Sequence, residues 1–272
     1  MKTRGQLLLV GCGKMGSAML RGWLARGVSA GDVTVVEPNA EVLGDLARSG
    51  LSLVAEGAKL PAELAPRVVI LAVKPQMMDG AIGGYRRFVR PGTVFLSIAA
   101  GRTIGYFERM LGADAAIVRS MPNTPAAVGR GITVACANRN VSGDQRALCD
   151  ELLAAVGEVA WISEEGLIDA VTAVSGGGPA YVFLLIECLA EAGAAAGLPR
   201  DLAMQLARST ISGSGELARQ SPEPAAVLRQ NVTSPAGTTL EALKILMAPD
   251  GLQPLLTKAI AAATRRSREL AG

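Results

Sequence analysis

Histidine is absent from this chain of 272 residues. That removes the usual general base, and with it any Ser-His-Asp or Cys-His centre. A zinc site would have to be built from cysteines and carboxylates alone. The four cysteines, Cys12, Cys136, Cys149 and Cys188, form no Cys-x-x-Cys pair and no other metal-ligand spacing. No metal is expected, and the cysteines read as small buried residues in a reducing compartment. Aromatic residues make up only 3% of a chain that is half hydrophobic, so the core must be filled by Ala, Val, Leu and Ile. Strong charge is lacking too: a formal net charge of +3 argues neither for a nucleic-acid surface nor for an acidic partner. No uninterrupted apolar run suits a membrane span, because the best candidate, AVTAVSGGGPAYVFLLIECLA, is broken by Gly176 to Pro179. The opening MKTRGQLLLVGCG ends in glycines without a cleavage-site pattern, and reads as a first strand rather than a signal peptide. A soluble, cytoplasmic protein is expected, with neither nucleic acid nor membrane as partner.

What is present falls into two halves. Up to about residue 163, short β-type runs alternate with helical stretches. QLLLVG (6–11), DVTVVEP (32–38), RVVILAVKP (67–75), GTVFLSIAAG (92–101), AAIVRSMP (115–122), GITVACAN (131–138) and EVAWIS (158–163) are predicted strands. SAMLRGWLARG (17–27), with Gly27 as its stop, and AEVLGDLARSG (40–50) are predicted helices. Strands that are apolar on both faces and separated by helices describe a doubly wound, mostly parallel sheet. After Ser163 only helical patterns follow, and QSPEPAAV (220–227) reads as a turn between two of them. The domain boundary is expected near Glu164. The run AYVFLLIECLAEAGAAAGL is apolar nearly all round and must be covered on every side. Roughly a hundred residues make a thin helical layer. A second copy of the chain is the expected cover; the alternative is a helix central within its own domain.

Gly11, Gly13 and Gly16 keep the G-x-G-x-x-G spacing between a strand and a helix. The first permits the tight turn, the second lets backbone approach a pyrophosphate, and the third lets helix pack on strand. The helix start then offers free N–H groups to the anion. Glu37 ends the second strand, where an acid either accepts hydrogen bonds from a ribose diol and repels a 2′-phosphate, favouring NAD over NADP, or is an exposed strand-end carboxylate while Asn39 or a nearby Arg handles a phosphate. LAVKPQ (71–76) and SIAAG (97–101) end two further strands at the same sheet edge. There Lys74 is either a cation for phosphate or a solvated charge, and Ala99 and Ala100 either admit a nicotinamide or merely pack. Asn123, between two prolines in RSMPNTPAAVG, either touches nicotinamide or substrate or closes an Asx-turn.

The helical half carries one stretch of different character, NVTSPAGTTLEAL (231–243). It crowds Thr233, Ser234, Thr238 and Thr239 around Pro235 and Gly237. Ser234 or Thr233 is the expected cap of the helix that resumes at Thr238, yet four hydroxyls exceed what capping needs. A fresh helix start with free N–H groups and hydroxyls suits a carboxylate.

Taken together, GCGKMG, LAVKPQ, MPNTP, AVSGGGPAY and above all NVTSPAGTTLEAL resemble the pyrroline-5-carboxylate reductase family, over nearly the whole chain and in order. The resemblance implies an α/β Rossmann-like N-terminal domain, residues 1–163. An all-α substrate-binding and dimerisation domain, residues 164–272, would follow it. It implies reduction of 1-pyrroline-5-carboxylate to proline with NADPH or NADH, in a homodimer or a larger ring of dimers. Carried over residue by residue, it assigns the dinucleotide to Gly11, Cys12, Gly13, Lys14, Met15 and Gly16, to Ala72, Val73, Lys74 and Pro75, and to Ile98, Ala99 and Ala100. It assigns the substrate carboxylate to Ser234 and the backbone of Thr238 and Thr239 beside Gly237, the ring nitrogen to the Thr239 hydroxyl, and a supporting role to Asn231. Gly177 and Ala236 depart from the family's usual Ser and Gly, and Glu37 from its usual neutral residue. A protonated cyclic imine is already an electrophile, so a chain without histidine suffices. The alternatives are a related imine reductase, a β-hydroxyacid dehydrogenase, and a dinucleotide-binding module without activity.

Overall fold

The computed structural model describes residues 6–271; residues 1–5 of the N-terminal run and residue 272 lie outside the described residues. The chain begins with strand β1 (Leu7–Val10), helix α1 (Lys14–Ala25), β2 (Val33–Val36), β3 (Ser52–Val54), β4 (Val68–Leu71) and α2 (Met78–Ile82). It continues with β5 (Val94–Ser97), α3 (Ile104–Leu111), β6 (Ala116–Met121), β7 (Gly131–Ala137), α4 (Gly143–Ala154) and β8 (Gly157–Ile162). The eight strands form one sheet in the order β3-β2-β1-β4-β5-β6-β7-β8. Every pair is parallel except β6 with β7. The first six strands follow the order of doubly wound dinucleotide-binding sheets.

The central strands are apolar on both faces because both faces are covered. Leu7 and Leu9 of β1 pack in one core with Trp23, Val35, Ile70 and Leu152. Leu8 and Val10 pack in the other with Val69, Leu71, Phe95 and Phe107. Trp23, one of the few aromatic residues, is fully buried and donates its indole N–H to the Leu152 carbonyl at 2.9 Å, joining α1 to the end of α4.

Two sequence expectations change here. The predicted helix over 40–50 is a run of 3₁₀ turns broken at Gly44, whose φ of 54° no helix tolerates. The short β3 carries no alternating apolar signal, because it is a mostly exposed edge strand.

The remaining helices are α5 (Ile168–Val171), α6 (Gly178–Ala195), α7 (Arg200–Gln220), α8 (Ala225–Asn231), α9 (Thr238–Leu246) and α10 (Leu252–Ala271). The predicted turn at 220–227 ends at Pro224, and α8 starts directly after it. Nor do Gly176 to Pro179 break the apolar stretch. A π turn, Thr172–Gly176, carries the helical course through, and Pro179 sits in the first turn of α6, where its missing N–H costs nothing. Glu165–Ala195 is therefore long and apolar enough to cross a membrane by length and composition.

Two compact units emerge: residues up to Gly176 together with Ala263 onward, and Gly177–Ala262. The expected boundary near Glu164 falls earlier, and side-chain ties explain the difference. Ile168 and Ala173 are buried, and the Ser267 hydroxyl donates to Asp169 at 2.7 Å, so this stretch and the end of α10 both group with the sheet. Within the second unit, α6 packs along α7.

Candidate functional site

The glycine loop after β1 is built as its spacing predicts. Gly11 adopts φ +87°, and a Cβ there would meet the Ala72 carbonyl oxygen at 2.9 Å; one at Gly16 would meet the Gly11 oxygen at 2.5 Å. These two glycines are required by close backbone approach. At Gly13 the opposite holds: nothing lies within 4 Å of where a Cβ would stand. Gly13 caps α1 without a side-chain hydrogen bond, and the first turn contains no acid. The N–H groups of Lys14, Met15 and Gly16 therefore begin the helix beside open space, which fits the pyrophosphate of a dinucleotide. Lys14 is exposed, while Cys12 is fully buried. Burial first, then the nearby Glu37 carboxylate, push the Cys12 thiol up to about 11, so it stays a neutral packing group.

Glu37 stands one residue beyond β2, tied by its own N–H to the Val54 carbonyl at 3.0 Å. Its carboxylate accepts from Cys12 N at 2.8 Å and from Asn39 N at 3.1 Å. The acid is thus locked to the glycine loop, with each oxygen keeping acceptor capacity for a diol. Ala72, Val73, Lys74 and Pro75 follow β4, and Ile98, Ala99 and Ala100 follow β5. Both segments sit at the same C-terminal sheet edge as the glycine loop. Lys74 is exposed, Ala99 is buried, and Ala100 faces solvent.

Asn123 is tied to the chain around it. Its Oδ1 accepts from Ile132 N at 2.9 Å and its Nδ2 donates to Ser175 Oγ at 3.3 Å, so it closes no Asx-turn and its amide serves the chain itself. Ser175 lies in the π turn, a feature frequent at functional sites. The link between Asn123 and Ser175 is not legible in the sequence, since 52 residues separate them.

The hydroxyl strip belongs to the second unit. Asn231 ends α8, and its Nδ2 donates to Glu223 Oε2 at 3.2 Å. Glu223 lies in the proline-flanked QSPEPAAV, where the sequence signals only a turn. Neither expected residue caps α9. Thr233 turns back, donating to the Arg229 carbonyl at 2.7 Å, and Gly237 takes the cap position with no side-chain hydrogen bond. The reason lies in the turn. Ala236 has φ 55°, and a Cβ at Gly237 would collide with Ser234 Oγ. Ser234 is thus folded over the helix start without consuming its N–H groups. Ser234, Thr238 and Thr239 are all exposed, and the N–H groups of Thr238 and Thr239 open the helix. Hydroxyls and free amide donors gathered at a positive helix end are chemistry for a small carboxylate.

Comparisons with known proteins find relatives for both halves of the chain. The family described as "Pyrroline-5-carboxylate reductase dimerisation" matches residues 165–270, and the one described as "NADP oxidoreductase coenzyme F420-dependent" matches residues 6–101. The pyrroline-5-carboxylate reductase of Pseudomonas aeruginosa is 39% identical over 267 residues, covering 98% of this chain and 97% of that protein. Among solved structures, a pyrroline-5-carboxylate reductase from Coxiella burnetii superposes with a TM-score of 0.92 at 34% identity, over 98% of this chain and 99% of the other. The Plasmodium falciparum pyrroline carboxylate reductase with NADP bound gives 0.83 at 30% identity, over 99% of both chains.

Proposed function

This chain belongs to the pyrroline-5-carboxylate reductase family, and from that premise we propose that it reduces 1-pyrroline-5-carboxylate to L-proline by hydride transfer from NADPH or NADH, the last step of proline biosynthesis. The observation that carries the reading is a pair of uncapped helix starts on one chain. One, at Gly13, lies beside open space; the other, at Gly237, is ringed by hydroxyls.

When bound, the reduced nicotinamide supplies the hydride. The chain binds and orients. N–H groups of Lys14, Met15 and Gly16 receive the pyrophosphate, and Glu37 accepts from ribose hydroxyls. Ala72 to Pro75, Ile98 to Ala100 and Asn123 line the cofactor's course, and Asn123 also holds its loop and Ser175. Ser234 and the amides of Thr238 and Thr239 take the substrate carboxylate beside Gly237, with Asn231 in support. The Thr239 hydroxyl meets the ring nitrogen. Because the protonated imine is already electrophilic, positioning supplies most of the acceleration.

The same reading makes residues 1–163 the dinucleotide-binding part and residues 164–272 the substrate-binding and dimerisation part. The apolar helical faces are covered by a second copy, in a cytoplasmic homodimer or a larger ring of dimers, with no membrane or nucleic acid as partner. A β-hydroxyacid dehydrogenase would need a group to accept the hydroxyl proton, commonly a lysine on the first long helix of the second domain, and α6 contains none. A module without activity would leave the strip idle.

The test is proline formation from pyrroline-5-carboxylate with each dinucleotide. No turnover in a protein that still binds dinucleotide would overturn the reading. Glu37 supports use of NADH at least as well as NADPH, and Glu37→Ser is expected to shift the kcat/KM ratio toward NADPH. A wild type that strongly prefers NADPH would contradict that role for Glu37.

A further inference from the structure

Past the ends of β4 and β5, Ile98 N still donates to the Leu71 carbonyl at 3.2 Å, and the two strands then give way to separate loops. A side-chain circuit bridges those loops. Arg102, just beyond the second loop, reaches back to the first: Nε and Nη2 donate to the Pro75 carbonyl at 3.3 and 2.9 Å. Nη2 also donates to Asp79 Oδ2 at 2.7 Å. The other oxygen of Asp79 accepts from the Tyr106 hydroxyl at 2.7 Å, and the Arg102 guanidinium lies over the Tyr106 ring, 4.6 Å from its centre. The circuit closes on itself. Tyr106 is fixed because α3 buries its ring and the Thr103 hydroxyl caps that helix at Tyr106 N.

Three features make this more than surface decoration. Proline lacks an N–H, so the carbonyl is the only polar backbone handle Pro75 offers. A planar guanidinium can hold a carbonyl and a carboxylate together while stacked on a ring; an ammonium cannot hold all three in that geometry. The circuit also persists across neutral pH. The Tyr106 hydroxyl, chiefly, and Arg102 hold the Asp79 carboxyl below its usual range, and burial, chiefly, pushes Tyr106 up to about 12.

We propose that Arg102 is a positioning residue for the dinucleotide: it sets the loop Ala72–Pro75 against the loop Ile98–Gly101 before the cofactor arrives. Loops left free would have to be ordered on binding, and that entropy would be subtracted from affinity. Arg102 thus governs dinucleotide affinity and leaves recognition of the imine acid alone. The inference rests on reading this sheet edge as the dinucleotide site.

The experiment uses the full-length protein and the variants Arg102→Met, Arg102→Lys and Tyr106→Phe. Dissociation constants for NADH and NADPH are measured by fluorescence without substrate, alongside KM for pyrroline-5-carboxylate and the Tm. Arg102→Met is expected to weaken both dinucleotides roughly ten-fold while substrate KM stays within about two-fold. Arg102→Lys is expected to recover only part of that loss, and Tyr106→Phe to weaken binding about two- to three-fold. Unchanged dinucleotide affinity in folded Arg102→Met would overturn the proposal, as would full recovery by lysine. Should Arg102→Met fail to fold, the lysine and phenylalanine variants decide by the same reading. A wild type that binds neither dinucleotide would instead remove the underlying site assignment.

Discussion

The two compact units spend similar residues to opposite ends. In the sheet unit, the LLLV of β1 is 0 to 2% exposed. In the helical unit, Phe183 and Leu184 of α6 are 58% and 56% exposed, and Ile245 of α9 is 75% exposed. The strand finds neighbours within its own chain, because sheet neighbours and helices on both faces enclose it. The helices of the second unit leave these side chains without such an enclosure. Core closure is therefore a property of architecture rather than composition. Large apolar side chains exposed to this extent are what an interface would use, and the dimerisation family matches residues 165–270, which include these helices. The proposed chemistry divides the same way: the loops proposed for the cofactor rest on a scaffold closed by its own chain, whereas the hydroxyl strip rests on helices with exposed apolar side chains.

Breaking the sheet unit's self-sufficiency should have the largest effect. Arg119 on β6 is 4% exposed and donates to Glu165 at 2.7 Å; the same carboxylate oxygen accepts from Ile104 N at the start of α3, also at 2.7 Å. Glu165→Ala strands a buried guanidinium and takes the acceptor from the Ile104 N–H at the start of a helix that Thr103 still caps. It should cost about 3 kcal/mol and several degrees of Tm, measured by thermal unfolding. An unchanged Tm would mean that water already satisfies Arg119.

Next is the strip. Thr239→Val keeps the shape of the side chain and removes its hydroxyl. A lost hydrogen bond to a charged partner is worth about 1.5–3 kcal/mol, so kcat/KM should fall roughly ten- to a hundred-fold, with dinucleotide affinity nearly unchanged. Ser234→Ala should act mainly on KM, because a carboxylate contact is present before and during hydride transfer. Full activity in Thr239→Val, by steady-state kinetics, would reduce the strip to a helix start with surplus hydroxyls.

The smallest effect sharpens the contrast in backbone strain. Ala236 is the one non-glycine residue at positive φ among the described residues. Ala236→Gly relieves the left-handed strain but adds freedom to the unfolded chain, for a net gain of about 0.5 kcal/mol. A loss of stability on denaturant titration would show that the alanine methyl packs usefully.

What was legible in the sequence was local. Gly11, Gly13 and Gly16 announce their turn because their spacing falls within six residues, with Gly11 at positive φ and Gly16 packed on the Gly11 carbonyl. The crowding of Thr233 to Thr239 is visible for the same reason. Which residue caps α9 was not, because the answer depends on Ala236 turning left-handed and Ser234 folding over Gly237. The edge strand β3 and helix α8 escaped because one lacks alternation and the other follows a proline-rich turn closely. The Arg102 circuit joins residues 23 to 27 positions apart, and Asn123 reaches Ser175 across 52. Such pairings come into being only when the sheet brings its loop ends together.

The most direct measurement follows mass and turnover together through serial dilution, using light scattering and proline formation on the same samples. If a second copy completes the helical unit, the smallest active species contains at least two chains, and turnover per chain falls as the dimer dissociates. A stable monomer with full turnover would contradict the shared core outright.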